Sequence, residues 1–364
     1  HLTLVWQMMI MLRYNVTIRD GMMFSPKKIS VLIFLLSSIT TCYAHLAHAA
    51  YYPLSIENCG YNETFAHAPE RVVTIGQHET ELLLALGLQK KIVGTSVWFG
   101  KLPANLESQG AGLKKLADNS PGFEAVASET PDFVLAQYSW HLGPKGEVAT
   151  REQFEDLGIN TWISPADCIG KSVTASSNSD GSRSTPYSIN YVAQEIKELA
   201  DIFNVREQGE VLNQSLTQRI KYSQQNVPKI SKPLKVVFWF SSSRLQGDPW
   251  VAGDDGAPGW ISKTLGLKNI ITSHEEWPAV TWEHIAESQP DVIVIASMDR
   301  RLYPADNVEV KQNFLRTDPV TRDMPAVKKG NIIVVPAMSL NPSLRNVDAV
   351  EIISKYLSEH QSAL

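Results

Sequence analysis

The segment VREQGEVLNQSLTQRIKYSQQN, which runs from Val205 to Asn226, decides how the rest of the chain is organised. Its apolar residues recur at spacings of seven, four and four residues, at Val205, Leu212, Leu216 and Ile220. Because an α-helix turns once in about 3.6 residues, this spacing predicts a helix with one narrow buried stripe. About 22 residues rising ~1.5 Å each span ~33 Å, roughly the thickness of a small domain. Pro228 ends the helix, and we expect it to join two domains as a strut.

Two similar phrases lie on either side of this strut. FEAVASETPDFVLAQYS spans residues 123–139, and WEHIAESQPDVIVIASM spans residues 282–298. Each contains an aromatic residue, a Glu, a helical pattern, a Pro-Asp pair and an apolar strand in the same order. ALGLQKKIVGTS from Ala85 likewise matches TLGLKNIITSHE from Thr264. The repetition predicts two related lobes that flank one helix.

Strands and helices alternate within each lobe, and this pattern builds a mainly parallel sheet. We therefore predict an α/β fold of two Rossmann-like lobes, with mainly parallel sheets, joined by a single long backbone helix. The predicted N-terminal lobe covers residues 51–203, the connecting helix residues 204–228 and the C-terminal lobe residues 229–364. A Ser-, Asn- and Gly-rich insertion at residues 171–184 has no counterpart in the second lobe, and its composition predicts an exposed loop.

The first 50 residues contain an export signal. Lys27–Lys28 precede the apolar run ISVLIFLLSSIT, and Ala47–Ala49 form an A-x-A cleavage site. This order is typical of a secretory signal peptide. We therefore assign residues 1–50 to non-native or upstream sequence followed by a signal peptide, and expect a periplasmic protein. Cys42 follows SITT, a poor context for lipid attachment, so we do not expect a lipoprotein.

Cysteine usage and charge limit the possible functions. Removal of the signal leaves Cys59 and Cys168, and an even pair in an exported chain favours a disulfide. Two unpaired buried thiols are the alternative. The net charge is −5 and no basic cluster exceeds a pair in the mature region, so no nucleic-acid partner is expected. The patterns GxxxxGK[ST], HExxH and GxSxG are absent as well.

The export signal, the two lobes, the connecting helix and the paired Glu…Pro-Asp phrases resemble the solute-binding proteins of ABC importers. Within them the chain is similar to the rigid-helix group that serves ferric siderophores, haem and cobalamin. The phrase APERVVTIGQHETELLLALGLQKKIVGTS, residues 68–96, carries much of a resemblance that covers about residues 53–360. It implies a monomeric receptor with no catalytic residues and no cofactor of its own. Its partners would be an inner-membrane ABC permease, with a cytoplasmic ATPase, and a small-molecule chelate.

The resemblance also implies roles for particular residues. In the family each lobe presents a surface Glu to arginines of the permease, and the matching residues are Glu124 and Glu283. A first-turn Glu favoured by the helix dipole is the simpler explanation. Trp277 and Trp98 match aromatic residues of the family's cleft, and Arg345 matches an arginine there. Core packing of the tryptophans and a surface salt bridge of the arginine are the alternatives.

Most of the remaining candidates follow strand ends, where ligands of open α/β sheets bind. Guanidinium groups among them would suit an anionic siderophore with catecholate or carboxylate arms. The complete set of predicted ligand-binding residues is Trp98, Phe99, Tyr138, Trp140, His141, Trp239, Arg244, Trp277, Met338, Asn341 and Arg345.

The leading hypothesis is a receptor that captures an iron complex, a ferric siderophore, between its lobes. Cobalamin or haem is the first alternative. Direct metal binding ranks below these, because the histidines are scattered and only His78 and His141 could meet in the cleft. The lowest-ranked alternative is an extracytoplasmic hydrolase with a nucleophile among Ser241–Ser243 and His274 as the base.

Overall fold

The computed structural model describes residues 51–144, 146–174 and 177–364. The predicted signal segment and Cys42 lie outside these residues. Both lobes belong to one compact unit, Tyr52–Leu364. In the described part of the chain, no helix combines the length and the hydropathy needed to cross a bilayer.

The N-terminal lobe is built around a parallel sheet. Its elements are, in order, β1 Leu54–Asn58, β2 Tyr61–Phe65, β3 Val72–Ile75, α1 Gln77–Ala85, β4 Ile92–Ser96, α2 Ala104–Gly110, β5 Lys115–Ala117, α3 Phe123–Ala127, β6 Phe133–Ala136, α4 Ser139–Leu142, α5 Arg151–Glu155, β7 Asn160–Ile163, β8 Lys171–Ser172, β9 Ser182–Arg183 and α6 Asn190–Ile202. The sheet order is β5-β4-β3-β6-β7, and all four pairings are parallel. This is the doubly wound order of a Rossmann-like sheet, which opens a crevice where β3 meets β6.

Gly76 makes the close approach at this crevice possible. It follows β3 with φ 138°, and a Cβ there would lie 2.3 Å from the Cβ of Gln137, which follows β6. Only glycine fits a backbone position of this kind. The two strand ends can therefore converge on the crevice.

The C-terminal lobe repeats this plan with changes at one edge. Its elements are β10 Lys235–Ser241, β11 Trp250–Val251, α8 Ala257–Thr264, β12 Lys268–Asn269, α9 Trp282–Glu287, β13 Val292–Ser297, α10 Val308–Thr317, α11 Pro325–Lys328, β14 Ile332–Pro336 and α12 Asn346–Glu359. β10, β13 and β14 run parallel. β10 also pairs with two short strands, β12 in parallel and β11 antiparallel.

Both sheets are buried on their two faces. On β3, Val72 packs into one hydrophobic cluster and its neighbour Val73 into another. Val236 and Val237 divide in the same way on β10. Because successive side chains of a strand point to opposite faces, a continuous apolar run is what a doubly covered parallel strand requires.

The predicted connecting helix is α7, Arg206–Asn226, between α6 and β10. Leu216 is buried, and Val205, Leu212 and Ile220 pack partly buried beside it. This stripe faces α6 of the first lobe, as the apolar spacing predicts. The C-terminal lobe holds the other end of α7 through α12, since Arg219 forms ion pairs at 2.7 Å with Asp348 and Glu351. The predicted two-lobe α/β fold with one backbone helix is confirmed.

The structure contains a disulfide between Cys59 and Cys168, whose Cα atoms are 5.8 Å apart. Cys59 follows β1 and Cys168 follows β7, so the bond ties the first hairpin to the last strand of the N-terminal sheet. This is the pairing expected for an exported chain.

Candidate ligand-binding site

A cavity of about 600 Å³ lies between the lobes at the carboxyl ends of both sheets. This volume is within the range typical of small-molecule sites. Aromatic side chains from both lobes line it, namely Phe99, Tyr138, Trp140, Phe240, Trp250, Trp277 and Tyr303. We call it the aromatic cavity.

Several of these rings are held against one another. Tyr138 and Trp140 stack with ring centroids 4.3 Å apart and an interplanar angle of 5°. In the C-terminal lobe, the ring centroids of Trp277 and Phe240 lie 4.9 Å apart. Rings that support each other in this way present apolar faces to a ligand without first having to become ordered.

His141 is a buried polar group among these rings. Its Nε2 lies 3.1 Å from the hydroxyl oxygen of Ser120, and its Nδ1 is buried with no hydrogen-bond partner among the described residues. Burial lowers the pKa of His141 to about 4, against the opposing effect of Glu147. The imidazole is therefore neutral at neutral pH, and Nδ1 is a buried polar atom that a ligand could satisfy.

Charged groups line the aromatic cavity from different sides. The guanidinium of Arg300 lies 4.6 Å from the ring centroid of Phe99, and its Nε is buried without a partner in the described part of the chain. Asp180 is half-buried and Glu147 is exposed. Burial raises the pKa of the Asp180 carboxyl, and Lys171 partly offsets this effect. Neither Arg300 nor Asp180 is among the ligand-binding residues predicted from the sequence.

A second cavity of about 560 Å³ lies beside the first, and Phe99 lines both. Arg345 and Met338 belong to this second cavity. The Nη1 of Arg345 lies 3.1 Å from Oε1 of the buried Glu81, and its Nε forms an ion pair with Asp348. Since two carboxylates already neutralise this guanidinium, it is poorly suited to attract an anionic chelate.

The structure brings together six of the predicted ligand-binding residues. The aromatic cavity contains Phe99, Tyr138, Trp140, His141, Trp277 and Asn341. Met338 and Arg345 line the neighbouring cavity. The remaining three, Trp98, Trp239 and Arg244, line neither cavity.

Local structure shows why each of these three side chains lies outside the cavities. Trp239 is fully buried in the core, because side chains alternate along β10 and its neighbour Phe240 takes the cavity side. Val97 has φ 61°, a rare conformation for a β-branched residue, and Trp98 then lies beneath the Nζ of Lys115 at 4.4 Å. Arg244 is exposed in the loop after β10.

His78 does not line the cavity that contains His141. It is fully buried, and its Nε2 lies 2.9 Å from Oε2 of Glu195. Glu79 is the third member of this buried group, whose metal-ligating atoms lie within 4.8 Å of one another. The backbone N–H of Leu344 donates to Nδ1 at 3.3 Å, so the proton of a neutral ring is on Nε2. That tautomer leaves no lone pair directed at the two carboxylates, and the group is poorly suited to hold a metal ion.

The predicted docking residues lie at equivalent positions in the two lobes. Glu124 and Glu283 stand in the first turns of α3 and α9, and both are exposed. Their side chains are therefore accessible to a protein partner.

The side chains considered for hydrolysis do not assemble into a catalytic group. Ser241 donates a hydrogen bond to Asp306 at 2.6 Å. His274 is exposed and pairs with Asp255. No contact between these serines and His274 occurs in the described residues.

Comparison with known proteins identifies the class. Residues 72–338 match the model of the family described as periplasmic binding protein, and this chain belongs to that family. The ABC transporter substrate-binding lipoprotein YvrC of Bacillus subtilis, itself uncharacterised, is 23% identical over 244 residues, covering 67% of this chain and 69% of that protein.

Two solved structures show the same fold. An ABC-type Fe³⁺-hydroxamate transport protein from Saccharomonospora viridis has a TM-score of 0.65 and 23% identity, covering 84% of this chain and 99% of that one. A periplasmic haem-binding protein from Pseudomonas aeruginosa has a TM-score of 0.62 and 20% identity, covering 80% and 94%.

The family membership confirms the resemblance seen in the sequence. The chain is a substrate-binding protein of ABC import and acts outside the cytoplasm, so a permease and an ATPase are its partners. Its ligand is cargo and not a resident cofactor. The Bacillus relative is named a lipoprotein, which does not support our expectation that lipidation is absent.

Proposed function

We propose that this protein captures a ferric siderophore in the aromatic cavity and delivers it from the periplasm to an ABC permease. The observation that carries the proposal is the aromatic cavity itself, whose rings come from both lobes. A ferric siderophore presents a broad apolar and amide surface around a shielded metal, and flat rings supply contact with such a surface. The iron-hydroxamate transport protein of the same fold supports this choice.

Tryptophan fluorescence tests the proposal directly. Titration with ferrichrome, ferrioxamine B and ferric enterobactin should quench the emission with at least one of them. Trp277→Ala should remove much of the quenching, because Trp277 lines the cavity. Trp98→Ala is the matched control, since Trp98 lies outside the cavity and its loss should leave the absolute decrease in emission at saturation unchanged. Absence of quenching by every ferric siderophore would refute the proposal.

Haem is the second candidate, and His141 and Tyr138 are the observation in its favour. Both line the cavity, and His141 is neutral at neutral pH. Imidazole and phenolate are both known haem ligands. Haemin should then give a Soret band that His141→Ala or Tyr138→Phe shifts. A Soret band unchanged in both variants would exclude these two residues as iron ligands, and cobalamin can be titrated in parallel as the remaining alternative.

A further inference from the structure

The described residues of the insertion, 171–174 and 177–184, contact both lobes. Resting on the proposed function, we propose that residues 177–183 form a third wall of the aromatic cavity. We further propose that Asp180 within it makes the site select neutral or cationic ferric trihydroxamates over anionic ferric chelates.

The base of the insertion is held by buried charges. Lys171 forms an ion pair with Asp167 of the first lobe, and its Nζ lies 4.0 Å from Oε1 of Glu276 in the second. Arg183 is buried and forms an ion pair with Glu276 as well. Its Nη2 also donates to the carbonyl of Ala166 at 2.8 Å. Two cations and two carboxylates thus balance where the lobes meet, and the expectation of an exposed loop is wrong for this part of the insertion.

Backbone and amide hydrogen bonds fix the part that faces the cavity. The Nδ2 of Asn178 donates to the carbonyl of Trp277 at 2.8 Å, across the two lobes. The Oδ1 of Asn178 accepts from the backbone N–H of Asp180 at 3.1 Å. The backbone N–H of Glu276 donates to the carbonyl of Gly181 at 3.0 Å. Asn178, Ser179 and Asp180 line the cavity as a result.

The charges of the described lining residues argue against an anionic ligand. Two carboxyl groups, Asp180 and Glu147, face one guanidinium, Arg300, so the formal net charge of these side chains is −1. The Asp180 carboxylate makes no ion pair or hydrogen bond within the described residues, so it is free to pair with a cationic group of a ligand. Aromatic faces also attract cations. A ferric tricatecholate would bring three negative charges against these carboxyl groups, and Arg300 could offset only one.

Binding assays with three chelates of different charge test the inference. The probes are ferrioxamine B, a cationic ferric trihydroxamate, ferrichrome, a neutral one, and ferric enterobactin, an anionic tricatecholate. The wild-type protein should bind the first two at least about tenfold more tightly than the third, equivalent to about 1.4 kcal/mol. Asp180→Asn should weaken ferrioxamine B roughly tenfold and leave ferrichrome within about twofold. Asp248→Asn, which removes an exposed carboxylate outside the cavity, is the control and should change neither.

Hydrogen exchange provides a readout of the wall that is independent of charge. Amides of residues 177–183 should become more protected when ferrioxamine B binds. Unchanged protection of these amides would overturn the inference. So would an Asp180→Asn variant with the same ratio of affinities for ferrioxamine B and ferric enterobactin as the wild-type protein. Tight binding of ferric enterobactin would do so too while leaving the proposed function standing. Failure of all three chelates to bind would reject the proposed function, and the inference with it.

Discussion

The two lobes share one plan but differ at one strand, and this difference brings two tryptophans to the aromatic cavity. In the first lobe, β4 pairs with β3 along the whole of that strand. In the second, β12 pairs with β10 through two residues only, and the antiparallel β11 occupies the rest of that edge. β11 brings Trp250 to the cavity, and the segment beside it brings Trp277.

Several positions that the lobes share lie outside the cavity lining. Thr130 and Gln289 stand at the same place before Pro-Asp, and both have left-handed backbone, with φ 49° and 51°. The aspartates that follow also act alike. Asp132 accepts from the backbone N–H groups of Glu70 and Arg71 before β3, and Asp291 accepts from that of Lys235 in β10. Repetition therefore preserves these scaffold positions and the surface glutamates, while Trp250 and Trp277 reach the cavity from a region where the lobes diverge.

The largest effect should come from removing the repeated surface glutamates. Glu124→Ala with Glu283→Ala should abolish uptake but leave chelate affinity in solution unchanged, because both side chains are exposed away from the cavity. Each lost ion pair with the permease should cost about 2 kcal/mol, or roughly 30-fold in docking affinity. Uptake assays and fluorescence titrations measure the two properties. Glu287→Ala, on the same helix as Glu283, is the control. Weaker chelate binding by the double variant would mean that the two glutamates serve the cleft or the fold.

The disulfide should stabilise the N-terminal lobe and not the C-terminal lobe, since the C-terminal lobe contains no cysteine. The bond joins residues 109 positions apart. Replacing Cys59 and Cys168 by Ser should lower the free energy of unfolding by about 4 kcal/mol, because loop closure then no longer restricts the unfolded chain. Urea unfolding gives the total, and hydrogen exchange should locate the loss in the N-terminal lobe. Equal loosening of both lobes would contradict this assignment.

Arg345 should matter for the contact between the lobes more than for the ligand. Arg345→Met leaves the buried Glu81 without its cation and should destabilise the protein by about 3 kcal/mol. Adding Glu81→Gln should restore most of that loss, because a neutral amide needs no counter-ion. Chemical denaturation of both variants tests this. A selective loss of affinity for anionic chelates with normal stability would instead support the ligand-binding role predicted from the sequence.

The smallest effect concerns the repeated aspartates. Asp132→Ala removes two hydrogen bonds and should cost about 2 kcal/mol, whereas Asp291→Ala removes one and should cost about 1 kcal/mol. The matching Asn variants keep one acceptor oxygen and should lose less. Urea midpoints of the four variants provide the comparison, and a larger loss at Asp291 would mean that the two lobes use this residue differently.

Sequence patterns predict the scaffold well because it depends on local periodicity. The apolar stripe of α7, the Pro-Asp phrases and the glycines that end α1 and α8 are all visible in the chain, and the structure has the elements that they indicate. The positions predicted for docking, Glu124 and Glu283, follow from the same repeat.

The ligand site is harder to predict, because it depends on side-chain direction and on contacts distant in sequence. A change of one residue moves a side chain to the other face of a strand, which is why Trp239 is in the core and Phe240 is in the cavity. The left-handed backbone of Val97 turns Trp98 away without any mark in the sequence. Arg183 pairs with Glu276 across 93 positions, and a Ser-rich composition does not indicate such a partner.

The close packing of α6 on α7 has a thermodynamic consequence. A Cβ on Gly209 of α7 would lie 2.6 Å from the Cβ of Ala200 on α6, so this contact depends on glycine. Because α7 is also tied to α12, the lobes are ordered relative to each other when the chain folds, and little conformational entropy remains to be lost on binding. Gly209→Ala should push the two helices apart and make ligand capture entropically more costly. Gly209, which does not line the aromatic cavity, would then affect affinity without contacting the ligand. Calorimetry would detect this as a less favourable entropy of binding.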